Sequence, residues 1–167
     1  MKFLTTTALA ALLIGTATQA ADVSATISGH DGMSHGTLEV SSTPSGTAIA
    51  TLNLENLPEG TVAIHLHETG ECGGDHSSAG GHIAGDATHG VLSADGPHPG
   101  DMPNLVVGAD GTWKGEVFLA ELSVEEHLLD ENGAAVIIHE GADDYKSQPS
   151  GDAGPRLACG VLEASGG

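Results

Sequence analysis

The chain has 167 residues, with 23 acidic side chains against four Lys and Arg, for a formal charge of −19 when His is neutral. So acidic a molecule excludes nucleic acid and anionic membrane as partners. Aromatics make up 2% while Gly numbers 25, so a core must be built from Val, Ile, Leu and Ala on short strands separated by turns.

Residues 1–20 carry one cation, Lys2, an apolar run over 8–14, and the small residues Thr18 and Ala20 before Ala21. This is the build of a secretory signal peptide, too short to span a bilayer. With cleavage near Ala20, residues 21–167 are expected as one domain delivered to the periplasm, large enough to hold a core. Export allows Cys72 and Cys159, the two cysteines of the chain, to pair as a disulfide, with two free buried thiols as the alternative.

Residues 22–28 alternate Val23, Ala25 and Ile27 with polar partners, as a half-buried strand does. A loop follows over 29–36, then strands over 37–42 and 47–54 across the turn Pro44-Ser45-Gly46. Pro58-Glu59-Gly60 turns into residues 62–73, the stretch around which the chain is organised. Its strand should send Val62, Ile64 and Leu66 into a core and Ala63, His65 and His67 out on the other face. Two imidazoles two residues apart lie about 6.5 to 7 Å apart at Cα and can converge on one ion. An isolated His-x-His is as readily two solvated residues. The later His82, His89, His98, Asp101 and His139, mostly in Gly-rich surroundings, favour the metal.

Over 69–103 the periodicity is lost, and a segment that long needs something to order it, such as a metal and a disulfide. Strands resume over 105–107 and 112–119, with a single helical turn over 123–129. Asn132-Gly133 turns into a buried strand over 134–139, and an irregular loop over 140–155 leads to a last strand over 157–162. About eight strands and two long loops indicate an all-β antiparallel sandwich or barrel.

HLHETGEC at 65–72, AGGH at 79–82, GPHPGDMPNL at 96–105, HEGADDY at 139–145 and GPRLACGV at 154–161 occur in this order, and together they resemble the copper/zinc superoxide dismutases, the exported bacterial branch in particular. The resemblance implies an eight-stranded antiparallel Greek-key β-barrel with two long functional loops. It also implies copper held by His65, His67, His82 and His139, and zinc held by His82, His89, His98 and Asp101, with His82 as an imidazolate bridge that opens to supply a proton. Imidazoles suit Cu(II), and a closed set of three nitrogens and one oxygen suits structural zinc. Asp143 resembles the carboxylate that links a copper His to a zinc His, here His65 and His89. Arg156 resembles the residue that guides and holds the substrate anion.

The implied activity is the disproportionation of superoxide to oxygen and hydrogen peroxide, for antioxidant defence outside the cytoplasm, and a homodimer is among the assemblies the family allows. The chain departs from the usual pattern at Ala63 (usually Gly), at Ile83 (commonly aromatic) and in a His82–His89 interval one residue shorter, so the reach of His89 depends on the loop's path. Of the other histidines, His30 and His35 are expected with Met33 in a solvated hairpin loop, His76 is a candidate competitor for metal, and His127 is a surface residue. Two rival functions are a copper-storing module of the same fold, which would not need Arg156, and a zinc hydrolase, which would need an open position on zinc.

Overall fold

The computed structural model describes residues 22–166, so the expected signal peptide lies outside the described residues. Among the described residues there are nine strands: β1 Val23–Gly29, β2 Ser34–Ser41, β3 Ala48–Leu54, β4 Gly60–Val62, β5 Ile64–His67, β6 Leu105–Val107, β7 Trp113–Leu119, β8 Ala134–His139 and β9 Arg156–Ala164. One helical turn, α1 Val124–His127, is capped by the Ser123 hydroxyl, which accepts from the Glu126 N–H.

Seven strands form one curled antiparallel sheet in the order β5-β8-β9-β1-β2-β3-β7, and β4 pairs with β6. The chain runs from β4 straight into β5 at one edge of the sheet, while β6 packs against β7 at the other. The short β4–β6 ladder thereby closes a barrel. Register carries the alternation of the sequence across it. Val23 pairs with Val40, Val40 with Ala50 and Ala50 with Val117, so one apolar row crosses four strands. Val62, Ile64, Leu66, Val136, Ile138 and Leu162 join the same core.

The strand expected from residue 62 is interrupted at Ala63, whose N–H donates to the Gly141 carbonyl (2.8 Å) and whose carbonyl accepts from the His139 N–H (2.9 Å). The interruption turns one expected strand into β4 and β5 and ties both to the loop over 140–155. The loop expected over 29–36 is also shorter, because β2 begins at Ser34.

Strand β5 leaves one edge free in the sheet, and the long loop over 69–103 folds back to pair it. Leu66 N–H donates to the Gly100 carbonyl, Ile83 N–H donates to the Leu66 carbonyl, and local bridges join His65 to Asp101 and His67 to His82. Gly100 is required there, since a Cβ would stand 2.6 Å from the Leu66 carbonyl oxygen. The edge is protected and four site residues are gathered by the same contacts. Cys72 and Cys159 are disulfide-bonded, and with Ala79, Ala135 and Ile137 they make a small second core on the outer face of β8 and β9. This loop anchor is expected to stabilise the fold by about 4 kcal/mol in the chain-entropy account. Urea denaturation of Cys72→Ala/Cys159→Ala should therefore show a lower midpoint with a two-state transition, and an unchanged midpoint would contradict the anchoring role.

Candidate metal centre

His65 and His67 stand on the outer face of β5, opposite Ile137 and Ala135 of β8. Sequence alternation puts them on that face, yet solvent does not reach them. The loops over 69–103 and 140–155 leave the two residues 0% and 1% exposed. His139 ends β8, and its ring centroid lies 5.1 Å from that of His65 and 6.0 Å from that of His67. His82 enters from the long loop, 4.1 Å from His65 and 4.9 Å from His67 between centroids. All four rings expected around copper are brought together.

Hydrogen bonds set which nitrogen of each ring is left over. His67 Nδ1 donates to the Gly80 carbonyl (3.0 Å), His139 Nδ1 to the Gly154 carbonyl (3.2 Å) and His65 Nε2 to Asp143 Oδ2 (3.0 Å). Each bond fixes a tautomer with a lone pair on the other nitrogen. His65 Nδ1, His67 Nε2, His82 Nε2 and His139 Nε2 are buried and have no hydrogen-bond partner. Leaving a buried polar atom unpaired costs roughly 1–3 kcal/mol, so four in one place are a strong mark of an ion-binding site. His67, His82 and His139 each offer an atom within 4.8 Å of the others. The donor set fits copper.

Beside it, Asp101 Oδ1 is the hub of a second cluster. It lies 3.0 Å from His82 Nδ1, 3.0 Å from His89 Nδ1 and 3.3 Å from His98 Nδ1. A tetrahedron with metal–ligand bonds of about 2.0 Å has edges of about 3.3 Å, so these separations suit zinc. Asp101 Oδ2 accepts from the N–H groups of Gly90 and His98, which orients the carboxylate. His65, His82, His89 and Asp101 also form a group whose ligand atoms all lie within 4.8 Å of one another. His65 thus borders both clusters, while His98 joins the second through its contact with Asp101.

The shorter His82–His89 interval does not keep His89 away. Its ring is fully buried, with Nδ1 on Asp101 and Nε2 donating to Asp143 Oδ1 at 2.9 Å. Asp143 thus bonds to both His65 and His89. Two amides that sequence reasoning passed over hold this link. Asn104 pairs with both backbone groups of Asp143 (2.8 Å each), and Gln148 pairs with both backbone groups of His89 (3.0 Å each). Asn104 lay in a quoted motif and Gln148 beside one, but no spacing rule marks a side chain that pairs with backbone across a loop. Gly151 closes over the pair with φ +68°, and a Cβ on it would overlap Asp143 Oδ1.

The family model for copper/zinc superoxide dismutase matches residues 34–162. Similar proteins include superoxide dismutase [Cu-Zn] of Caulobacter vibrioides, 37% identical over 83% of this chain and 84% of that one. Superoxide dismutase [Cu-Zn] 1 of Aquifex aeolicus is 38% identical over 77% and 79%. Among solved structures, a SOD-like protein from Bacillus subtilis superposes with a TM-score of 0.79 at 33% identity, covering 84% of this chain and 97% of that one. Cu/Zn superoxide dismutase from Brucella abortus superposes with a TM-score of 0.70 at 30% identity, covering 84% and 98%. The chain belongs to the copper/zinc superoxide dismutase family.

In this member of the family, burial and mutual repulsion favour the neutral, ligating form of His65, His67, His98 and His139. Burial, then the nearby His82, pushes His67 down to about 2, and burial with the neighbouring His65 pushes His139 down to about 4. Burial lowers His65 too, against the pull of its Asp143 hydrogen bond. Burial alone would raise Asp143, but the bonds from His65, His89 and the Tyr145 N–H hold it near 2. Asp101 is likewise kept well below the carboxylate range by His82 and the Gly90 and His98 N–H groups, in spite of its burial.

Arg156, the first residue of β9, sits opposite His139 across the ladder. Its Nη2 donates to the Gly80 carbonyl at 2.6 Å and its Nη1 to the His76 carbonyl. The Gly80 carbonyl also receives His67 Nδ1, so one backbone oxygen ties the guanidinium to a site imidazole. Burial lowers Arg156 from its ordinary value, yet a guanidinium keeps its charge in any relevant solution.

His35 is not the solvated loop residue expected, being 5% exposed because β2 starts early, and His76, the candidate competitor for metal, is 4% exposed and belongs to neither cluster. His127 Nδ1 accepts from the Ser123 N–H at the helical turn.

For histidines whose folded pKa lies below the ordinary 6.5, the unfolded chain binds more protons between the two values, so stability is full above about pH 6.5 and declines as pH falls. Urea midpoints of the metal-free protein should drop progressively from about pH 6.5 to pH 4, with a shallower slope in His139→Gln. Constant or rising midpoints on acidification would contradict neutral burial of these rings.

Proposed function

We propose that the protein disproportionates superoxide, with His65, His67, His82 and His139 holding copper and His82, His89, His98 and Asp101 holding zinc. The observation that carries this reading is the cluster of four buried imidazole nitrogens with no partner, one of them on a ring whose other nitrogen faces Asp101. Copper bound there supplies a redox couple, by which two superoxide anions and two protons become one oxygen and one hydrogen peroxide.

The remaining work belongs to this chain's own residues. Asp143 holds His65 and His89 in fixed tautomers, so the donor atoms are oriented before any ion arrives. Arg156 offers a planar fork of donors to the substrate anion beside the imidazole cluster, the role that separates an enzyme from a storage module. His82, whose Nδ1 faces Asp101, would carry a proton toward the reduced anion on Nε2 whenever that nitrogen is not held by copper. Neither a nucleophile nor a general-base dyad is required.

Export also belongs to this reading. A disulfide joins Cys72 to Cys159, and no helix among the described residues is long and apolar enough to cross a membrane. We take residues 1–20 as the signal peptide, residues 21–167 as the mature single domain and the periplasm as its place of action, with a homodimer as a candidate assembly.

With EDTA present to silence unbound copper, superoxide consumption by the protein loaded with copper and zinc should far exceed that of the metal-free protein, and parity between the two would overturn the proposal. Arg156→Ala should slow it by roughly tenfold with metal content unchanged, and His89→Ala should lose zinc while retaining copper. Because the formal charge of −19 opposes an anionic substrate, the rate should stay level or rise as salt is added up to about 0.15 M, where the Debye length is about 8 Å. A steep fall would show that attraction near Arg156 and Lys146 dominates.

A further inference from the structure

The β1–β2 turn reaches across to the disulfide-anchored loop, where the His30 ring stacks on that of His76 with centroids 3.8 Å apart and planes 14° from parallel. His30 is exposed and His76 is 96% buried, so the outer ring covers the inner one. His76 occupies an unusual place. It stands at φ +60°, a left-handed conformation rare for a residue with a side chain. It also opens the single 3-10 turn Ser77–Ala79, and its carbonyl oxygen accepts from both the Ala79 N–H and Arg156 Nη1. Its ring contributes only a long contact, 3.4 Å from Nδ1 to the Cys72 carbonyl, and Nε2 has no partner.

Ring hydrogen bonding alone therefore does little to hold His76 in a strained conformation. The His30 ring lies flat against that of His76, and the carbonyl that anchors Arg156 is carried by the same residue. We propose that His30 and His76 are positioning residues for Arg156, with their stacked rings fixing one of the two carbonyls that aim the guanidinium at the substrate anion. This inference rests on the reading of Arg156 given above.

Positioning by two imidazoles has a consequence that positioning by an aromatic ring would not. Neutral rings stack, whereas two imidazolium rings at 3.8 Å repel. The charged groups acting on the pair are Asp75 of the disulfide loop, which favours the cationic form of His76, and Arg156 of β9, which opposes it. On the hairpin side the neighbouring Asp31 is engaged by the Met33 N–H. Acidification should therefore loosen the stack and the aim of Arg156 together.

The test uses the copper- and zinc-loaded protein with His30→Ala, His30→Phe and Arg156→Ala, read by superoxide consumption and by azide affinity, followed in the copper visible band, from pH 5.5 to 8. The imidazole titration of His76 is followed by NMR in the metal-free protein. His30→Ala should lower the rate and weaken azide binding by roughly three- to tenfold at pH 7.5, since small misplacements of a positioning group cost that much or more. His30→Phe should recover most of both and remove the loss of rate and azide affinity expected of the parent on acidification. In metal-free His30→Ala, the His76 titration should move upward from that of the parent, since burial and the facing His30 both hold it down.

Unchanged rate and azide affinity in His30→Ala, beside an impaired Arg156→Ala, overturn this inference and leave the earlier reading standing. An unimpaired Arg156→Ala overturns both. Failure of His30→Phe to recover what His30→Ala loses also overturns it, since ring stacking would then not be the operative contact.

Discussion

The carboxylate of Asp143 is the constraint on which the rest of the centre depends. Its two oxygens accept from His65 and from His89, one imidazole beside the unpartnered nitrogens and one beside the Asp101 hub. A buried anion is tolerated only where donors surround it. Here the donors are two imidazoles and the Tyr145 N–H. Asn104 fixes the backbone of Asp143, Gln148 fixes the backbone of His89, and Gly151 leaves room for the two side chains to meet. Two loops that share no ladder are locked together through the Asp143 and Gln148 side chains, with a backbone bond from the Leu92 N–H to the Tyr145 carbonyl beside them.

That lock explains how a site can stand on the outer face of a sheet and still be dry. The barrel interior is filled by aliphatic rows, so β5 has nowhere to send His65 and His67 except outward. Covering them takes the loop over 69–103, held to the β5 edge by backbone pairing and to β9 by the disulfide. Burial then favours the neutral form of His65, His67, His98 and His139, which is the form a metal needs. Stability lost to unpaired nitrogens in the metal-free chain becomes binding free energy for the ions.

Much of this was legible in the sequence. Alternation at Val23, Ala25 and Ile27 and along Ala48, Ala50, Leu52 and Leu54 marked the strands, because a half-buried sheet imposes a period of two. The bounds of Ala134–His139 and Leu105–Val107 came out as expected. The break at Ala63 did not show, since it is made by Gly141 and His139 from distant parts of the chain. Nor did the burial of His35 and His76, which depends on where a hairpin turns and on a loop's inward packing. Asn104 and Gln148 were silent for the same reason. An amide that pairs with backbone across two loops leaves no periodicity, whereas the ligands announced themselves by residue type.

Anomalous diffraction at the copper and zinc edges, from crystals of the metal-loaded protein, tests the account most directly. The account predicts two separate peaks per chain on either side of the His82 ring, copper among His65, His67 and His139, and zinc among His89, His98 and Asp101. A single ion seated in the group of His65, His82, His89 and Asp101, with His67 and His139 unligated, would contradict it.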